Sequence, residues 1–233
     1  MNKIKIIIAN WKLNPLKVKQ AKELAQVFNK VKTKNKVVIC PPVLFLPLIR
    51  SKFDLGAQNI AEEEQGPFTG EISGSMLKQF KVKYAIIGHS ERRALGETDD
   101  DARKKIVAAL NNKISPILCV GYGIGSDQKE GDVLMHLQYQ LSNCLENFSE
   151  AERQKIIVAY EPVWAIGSGH AASPEHAERV AMFIKIKFKI KKVLYGGSSS
   201  QLNYREFLDR DIDGLLVGAA SLDKIQFAEM ISY

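Results

Sequence analysis

The stretch Ile156-Ile157-Val158-Ala159-Tyr160 is a run of five apolar residues, and Glu161 and Pro162 follow it directly. The run does not alternate between apolar and polar residues, as a strand with one solvated face does. Continuous apolar runs of this length are typical of strands that are covered on both faces, as in a parallel sheet. The stretch therefore predicts a buried parallel strand with a carboxylate at its carboxyl end.

Seven further runs of strand length occur along the chain: Ile4–Ala9, Val37–Cys40, Leu55–Gln58, Tyr84–Ile87, Ile114–Val120, Val193–Tyr195 and Gly214–Val217. Segments of helical period separate them, and we predict helices at Val18–Val31, Val43–Lys52, Met76–Phe80, Asp101–Asn111, Val133–Leu145, Glu175–Phe188, Tyr204–Leu208 and Asp223–Ile231. Each of the eight repeats has roughly 29 residues, close to the minimum for a strand, a helix and the crossover between them. The pattern predicts an α/β fold in which residues 1–233 form one domain, a (β/α)8 barrel with outer helices.

One stretch fits two structures. In Ile184–Lys192, apolar and basic side chains alternate as far as Lys191, which fits a strand with a period of two. The apolar positions before it continue a helical stripe, however, and an extra strand would interrupt the alternation of strands and helices. We therefore predict a helix through Phe188.

Composition and targeting signals exclude several classes of protein. No apolar run approaches the roughly 20 residues that a membrane-spanning helix needs, and the apolar N-terminus is too short for a signal peptide. The three cysteines, Cys40, Cys119 and Cys144, lie too far apart for a disulfide framework or a metal clip. These observations predict a cytoplasmic protein with reduced thiols, without a metal site and without a membrane partner.

The formal net charge of +7 favours anionic partners of any size. The lysines are scattered along the sequence, and no nucleic-acid-binding signature accompanies them. We therefore expect a small phosphate ester as ligand, and no nucleic acid.

Chemically active side chains follow several of the predicted strands. Asn10 and Lys12 come after the first strand, His89 and Glu91 after the fourth, and Glu161 after the sixth. Taken singly, each has an ordinary interpretation, such as a solvated lysine or a structural histidine. The carboxyl ends of barrel strands meet on one rim, where barrel enzymes have their active sites, so their joint placement favours catalysis.

Two small-residue clusters and an apolar loop complete this rim. Gly196-Gly197-Ser198 and Gly218-Ala219-Ala220 follow the last two strands, where many barrels bind phosphate on backbone N–H groups, although either could be a plain turn. The loop Pro162–Gly169 is apolar in its middle, which suits a lid that covers a bound ligand and excludes water. A permanently docked loop is the alternative.

Six blocks of sequence, in order along the chain, closely resemble the triosephosphate isomerase family: Asn10–Lys12, Phe68–Ser73, Gly88–Arg93, Ala159–Gly167, Tyr195–Ser198 and Asp213–Gly218. The resemblance implies interconversion of dihydroxyacetone phosphate and D-glyceraldehyde 3-phosphate through an enediol(ate), as in glycolysis and gluconeogenesis, with neither a metal nor an organic cofactor.

The resemblance also implies roles for individual residues. Glu161 is the implied base, His89 a neutral donor to the carbonyl oxygen, and Lys12 the positive charge beside it. Asn10 orients the oxygen, and Glu91 is an auxiliary carboxylate. The implied phosphate ligands are the backbone N–H groups of Gly167, Ser198, Gly218 and Ala219. A lid that contains Trp164 and Ile166 closes, and Ile166 and Leu216 shield the base. Thr69 and Glu71 lie in a long third loop, Ile60–Gly74, which reaches into a partner subunit and implies a homodimer.

The chain departs from the family in several places, and two of them bear directly on this site. Tyr122 stands where the family has a glutamate that holds the lid tryptophan, and our hypothesis is that Tyr122 packs near Trp164 instead. Ala219 replaces a glycine at the phosphate site, and its N–H remains available. The competing readings are another phosphate-binding barrel isomerase and a basic, non-catalytic binding protein on the same scaffold.

Overall fold

Eight parallel strands form a closed barrel in the order β1 to β8 in the computed structural model, which describes residues 3–125, 128–162 and 172–233. The strands are β1 (Ile6–Asn10), β2 (Lys36–Cys40), β3 (Asp54–Ala57), β4 (Val82–Ile87), β5 (Ser115–Val120), β6 (Ile157–Tyr160), β7 (Lys192–Tyr195) and β8 (Gly214–Val217). Each predicted strand begins and ends within two residues of the observed one. The predicted (β/α)8 barrel is confirmed, and the assignment of residues 1–233 to one domain stays a prediction.

Helices cover the outside of the barrel. They are α1 (Val18–Asn29), α2 (Gly74–Gln79), α3 (Ser90–Ala94), α4 (Asp99–Asn111), α5 (Glu130–Cys144), α6 (Glu150–Arg153), α7 (Pro174–Phe188), α8 (Tyr204–Leu208) and α9 (Lys224–Ser232). The alternating stretch is helical through Phe188, as predicted, and Lys189 ends α7 in the left-handed conformation. Among the described residues, no helix is both long enough and apolar enough to span a membrane.

One helix prediction needs correction, and one short helix was not predicted. The helix predicted at Val43–Lys52 is a short 3-10 helix, Val43–Leu48. Pro47 lies inside it and has no N–H to donate, and Ile49 is already extended, so an α-helix cannot continue there. Helix α6 was not predicted because four residues are too few to show a helical period. Its capping box, in which Ser149 and Glu152 exchange hydrogen bonds, was the available signal.

Side chains fill the barrel from both sides of the sheet. One cluster of buried residues lies inside the barrel and includes Ile8, Val38, Ile117 and Leu194. A larger cluster packs the outward-facing strand residues against the helices. The interior is therefore solid, as in other barrels of this type, and a ligand site has to lie at an end of the barrel.

Candidate active site

The end of β1 places Lys12 in an uncommon backbone conformation. Its φ is +53°, in the left-handed region that residues with a Cβ seldom adopt. The backbone N–H of Lys12 donates to Oδ1 of Asn10 at 3.0 Å, and Nε2 of Gln58 donates to the Lys12 carbonyl at 2.9 Å. The two hydrogen bonds hold the strained turn from both sides. The Lys12 ammonium lies 2.6 Å from Oε1 of Glu91.

His89 follows β4 and caps the N-terminus of α3. Its Nδ1 accepts a hydrogen bond from the backbone N–H of Glu91 at 3.2 Å. A nitrogen that accepts a hydrogen bond cannot itself carry a proton, so the ring is assigned as neutral with its proton on Nε2. Nε2 lies 3.1 Å from Oε1 of Glu161 without the alignment of a hydrogen bond.

Glu161 ends the buried run that opens the sequence analysis. Its side chain is 2% exposed, and its Oε2 accepts a hydrogen bond from the backbone N–H of Ser90 at 2.9 Å. Its Oε1 is buried and has no hydrogen-bond partner among the described residues. A Cβ at Gly196 would lie 3.0 Å from the Cγ of Glu161, so a glycine there keeps room for this side chain. Burial raises the pKa of the neighbouring Cys119 thiol and the Glu161 carboxylate raises it further, so the thiol stays neutral beside the acid.

These groups meet at one cavity of about 160 Å³ at the carboxyl end of the barrel. Its lining residues come from the ends of β1, β4, β6, β7 and β8: Asn10, Lys12, His89, Glu161, Gly196, Gly197, Ser198, Ser199, Leu216, Gly218, Ala219 and Ala220. A Cβ at Gly218 would lie 3.3 Å from the Cε of Lys12. The lysine side chain therefore passes close to the small-residue loop after β8.

Several predicted site residues lie away from the cavity or outside the described part of the chain. Glu91 does not line the cavity and is linked to it through Lys12. Thr69 and Glu71 are exposed in the third loop. Residues 163–171, which include Trp164, Ile166 and Gly167, lie outside the described residues. The same holds for the hypothesis that pairs Tyr122 with Trp164; Tyr122 itself is 38% exposed.

Glu97 holds the turn between β4 and α3 that carries His89, and the sequence did not predict this role. It accepts hydrogen bonds from the Gly88 N–H at 2.8 Å, from Arg92 Nε at 3.1 Å and from Lys105 Nζ at 2.6 Å. Burial by itself would raise the pKa of Glu97, but the Lys105 ammonium and the other donors bring this pKa below its ordinary value. The carboxylate therefore fixes the turn that carries His89. Its place just before Thr98, the N-cap of α4, indicates only a helix start in the sequence.

Replacing Glu97 by glutamine should destabilise the fold by about 3 to 5 kcal/mol at neutral pH, because Lys105 then stays buried without its counter-charge. The folded-state pKa of Glu97 is lowered, so its stabilising effect is complete above the ordinary value of 4.5 and is lost as the pH falls through the lowered pKa. Urea unfolding should be measured above pH 4.5 and below the lowered pKa of Glu97. Between these two conditions the free energy of unfolding should fall less in Glu97→Gln than in the wild type. Equal stability of the two proteins at neutral pH would contradict this role.

A buried carboxylate, a neutral imidazole and an ammonium group around one small cavity, with glycine-rich loops beside it, define a class of protein. It is the class of barrel enzymes that move protons on a small anionic substrate. The comparisons with known proteins narrow this class. The model of the family described as "Triosephosphate isomerase" matches residues 5–233. The chain belongs to the triosephosphate isomerase family.

Individual relatives agree with this assignment. The chain is 42% identical to the triosephosphate isomerase of Mesomycoplasma hyorhinis, with 97% of each chain covered. It is 38% identical to that of Thermoanaerobacter pseudethanolicus and 39% identical to that of Caldanaerobacter subterraneus, with 98% of each chain covered.

Proposed function

We propose that Glu161, His89 and Lys12 are the catalytic groups with which this member of the triosephosphate isomerase family interconverts dihydroxyacetone phosphate and D-glyceraldehyde 3-phosphate. The observation that carries this proposal is the convergence of the three side chains, from β1, β4 and β6, on one cavity. The reaction only moves protons between neighbouring carbons and oxygens. It therefore requires neither a metal ion nor an organic cofactor.

Glu161 is the proposed base. Its carboxylate takes a proton from one carbon of the substrate and returns it to the next, with an enediol(ate) between the two steps. The Oε2 atom is held by the Ser90 N–H, so the side chain has to leave this hydrogen bond to reach the substrate carbon. Leu216 already covers one side of the cavity, and we propose that Ile166 and Trp164 of the lid cover the rest when a substrate is bound.

His89 and Lys12 are the proposed stabilisers of negative charge on the substrate oxygen. The Nε2–H of His89 faces the cavity as a neutral donor, a pairing with a glutamate base for which this family is itself the standard example. Lys12 supplies a fixed positive charge that needs little reorganisation as the oxyanion forms, because its backbone is held by Asn10 and Gln58. Glu91 holds the Lys12 ammonium in place while no substrate is bound.

The phosphate of the substrate is proposed to bind on the other side of the cavity. The loops after β7 and β8 present small residues there, and backbone N–H groups of Ser198, Gly218 and Ala219 are the proposed ligands, with Gly167 from the lid. Lys12 passes beside Gly218, so one cation serves both the oxyanion and the phosphate.

A coupled assay with each triose phosphate tests the proposal. Purified protein should convert either substrate to the other at rates typical of enzymes, without added metal and in the presence of a chelator. A protein that binds an analogue such as phosphoglycolate but converts neither substrate would be the non-catalytic scaffold described above.

We further propose that the enzyme is a cytoplasmic homodimer joined through the third loop. Residues 63–71 of this loop are exposed, including Thr69, Glu71 and Phe68. Neighbouring loops at the same end of the barrel also expose apolar side chains, with Leu13, Leu44 and Leu95 between 77% and 85% exposed. Apolar residues grouped on adjacent loops favour a protein interface.

Phe68→Asp should convert the dimer to a monomer, because the substitution places an unpaired charge in the proposed interface. Size-exclusion chromatography with light scattering measures the mass directly. Tyr139→Asp on α5 is the matched control, since Tyr139 is 70% exposed and lies outside the third loop. A wild-type chain with the mass of a monomer would refute the homodimer.

A further inference from the structure

The end of the barrel opposite the active site carries a concentration of positive charge. The loops that precede the strands all lie at this end, because the strands are parallel. The loop before β2 contains Lys30, Lys32 and Lys34, and all three are exposed. Among the described residues, no carboxylate lies within ion-pair distance of any of them.

The next loops around the barrel continue this charge. Arg50 and Lys52 precede β3, Lys81 precedes β4, and Lys83 is the second residue of β4. These four residues line a groove of about 700 Å³. The Lys52 ammonium donates to the carbonyl of Val31 at 2.7 Å, which joins this loop to the lysine-rich loop before β2.

Of the described residues that line this groove, one carries a carboxylate, and that carboxylate is already neutralised. Asp54, at the start of β3, forms ion pairs with Lys36 and with Lys83, the latter at 2.7 Å. Burial alone would raise the pKa of Asp54, but the two lysines bring it below its ordinary value, so the group stays charged and paired.

Positive charge also lies on the other side of the barrel axis. Lys189 and Lys191 lie before β7, Lys192 is its first residue, and all three are exposed. Carboxylates at this end lie mainly before β6 and β8. Those before β8 include Asp211 and Asp213, and both form ion pairs with Lys3 and Lys185. The opposite end differs, since the third loop is acidic over residues 62–64.

We propose that this end of the barrel, formed by residues 30–36, 49–54, 80–83 and 189–192 and here named the basic face, binds the surface of an anionic lipid bilayer. Charges on both sides of the barrel axis suit a flat partner. Lysines interact with phosphates as point charges, so they attract a polyanionic surface without requiring a particular arrangement of its groups.

Two further features fit a bilayer. The groove lined by Arg50, Lys52, Lys81 and Lys83 has room for phosphate headgroups. Ile4, between Lys3 and Lys5 and two residues before β1, is 65% exposed and can enter the headgroup region. A nucleic acid strand would bind along one continuous basic groove. The charges of this face lie instead on separate sides of the barrel axis.

This proposal departs from the expectation of no membrane partner. That expectation considered only spanning segments and the scatter of lysines along the sequence. The fold gathers lysines that are far apart in the chain, and this gathering carries the proposal independently of the isomerase activity.

Flotation of the full-length protein with vesicles tests the basic face. Vesicles of phosphatidylcholine with added phosphatidylglycerol should carry the protein upward, and vesicles of phosphatidylcholine alone should not. Raising the salt from about 0.1 M to about 0.5 M should release it, because screening shortens the range of the attraction.

A charge-reversed variant and a matched control locate the surface. Lys30→Glu with Lys32→Glu and Lys34→Glu should weaken vesicle binding about tenfold or more. Lys17→Glu with Lys19→Glu and Lys129→Glu makes the same change in net charge at the starts of α1 and α5, away from the basic face, and should bind like the wild type. Both variants should keep isomerase activity, which shows that they are folded.

Three results would overturn the proposal. The first is a wild-type protein that does not float with anionic vesicles. The second is equal loss of binding in the two variants, which would indicate net charge without a defined surface. The third is tighter binding to a single-stranded RNA in anisotropy measurements than to vesicles at the same salt, which would assign the basic face to nucleic acid.

Discussion

Glu161→Gln should lower kcat for both triose phosphates by about three to four orders of magnitude, the upper range for removal of a positioned base. The amide has nearly the shape of the carboxylate but cannot accept the substrate's carbon-bound proton. Its oxygen can still accept the Ser90 N–H, so the side chain keeps its place in the wall of the cavity. KM and the affinity for a phosphoglycolate analogue should change little.

Glu161→Asp separates position from chemistry. The aspartate keeps the carboxylate but withdraws it by about the length of one methylene group, and displacements of this size cost about a hundredfold in rate. Thermal unfolding of both variants near the wild-type temperature would show that the loss is catalytic. A variant that lost analogue affinity as strongly as kcat would contradict the assignment of Glu161 as the base.

The sequence was sufficient for the barrel because each repeat is consistent with its neighbours. Eight apolar runs alternate with amphipathic segments, and a parallel closed sheet is the economical way to cover both faces of every run. The failures have local causes. Pro47 ended a helix that periodicity would have continued, and α6 was too short for periodicity to register.

The candidate site was predictable only in part. The difference between the residues that were predicted and those that were missed has a physical reason. Lys12, His89 and Glu161 carry functional groups that stand out in a sequence. The Ser90 N–H that holds Glu161 is a backbone group. Every residue except proline has such a group, so the residue type at this position does not indicate it. Glu97 and Gln58 were missed because they hold the site through backbone groups, the Gly88 N–H and the Lys12 carbonyl, which no residue type in the sequence indicates.

The basic face shows the same limit on a larger scale. Its groups of lysines are far apart in the sequence, and the spacing between the groups indicates nothing by itself. Only the topology, which places every loop before a strand at one end, brings residues 30–36 and residues 80–83 to one surface. Net charge was visible from composition, but its uneven distribution was not.

Lys12→Met should lower kcat/KM by about 10²- to 10³-fold, the range observed when a group that stabilises developing charge is removed. Methionine has nearly the length of lysine and lacks its charge, so the substitution tests the charge alone. Because the ammonium passes beside Gly218 as well as facing the cavity, KM should rise while kcat falls. A coupled assay over a range of substrate concentrations separates the two effects.

The fold should tolerate Lys12→Met. The backbone of residue 12 is held by Asn10 and Gln58, whose hydrogen bonds go to its N–H and carbonyl and do not involve the side chain. The ion pair with Glu91 is more than half exposed on the glutamate side, and exposed pairs contribute about 0 to 1 kcal/mol. Lys17→Met, five residues further along and exposed, is the matched control and should keep full activity. If Lys12→Met retained wild-type kcat and KM, the anionic substrate would have to bind and react without this cation, and the proposed charge stabilisation would fail.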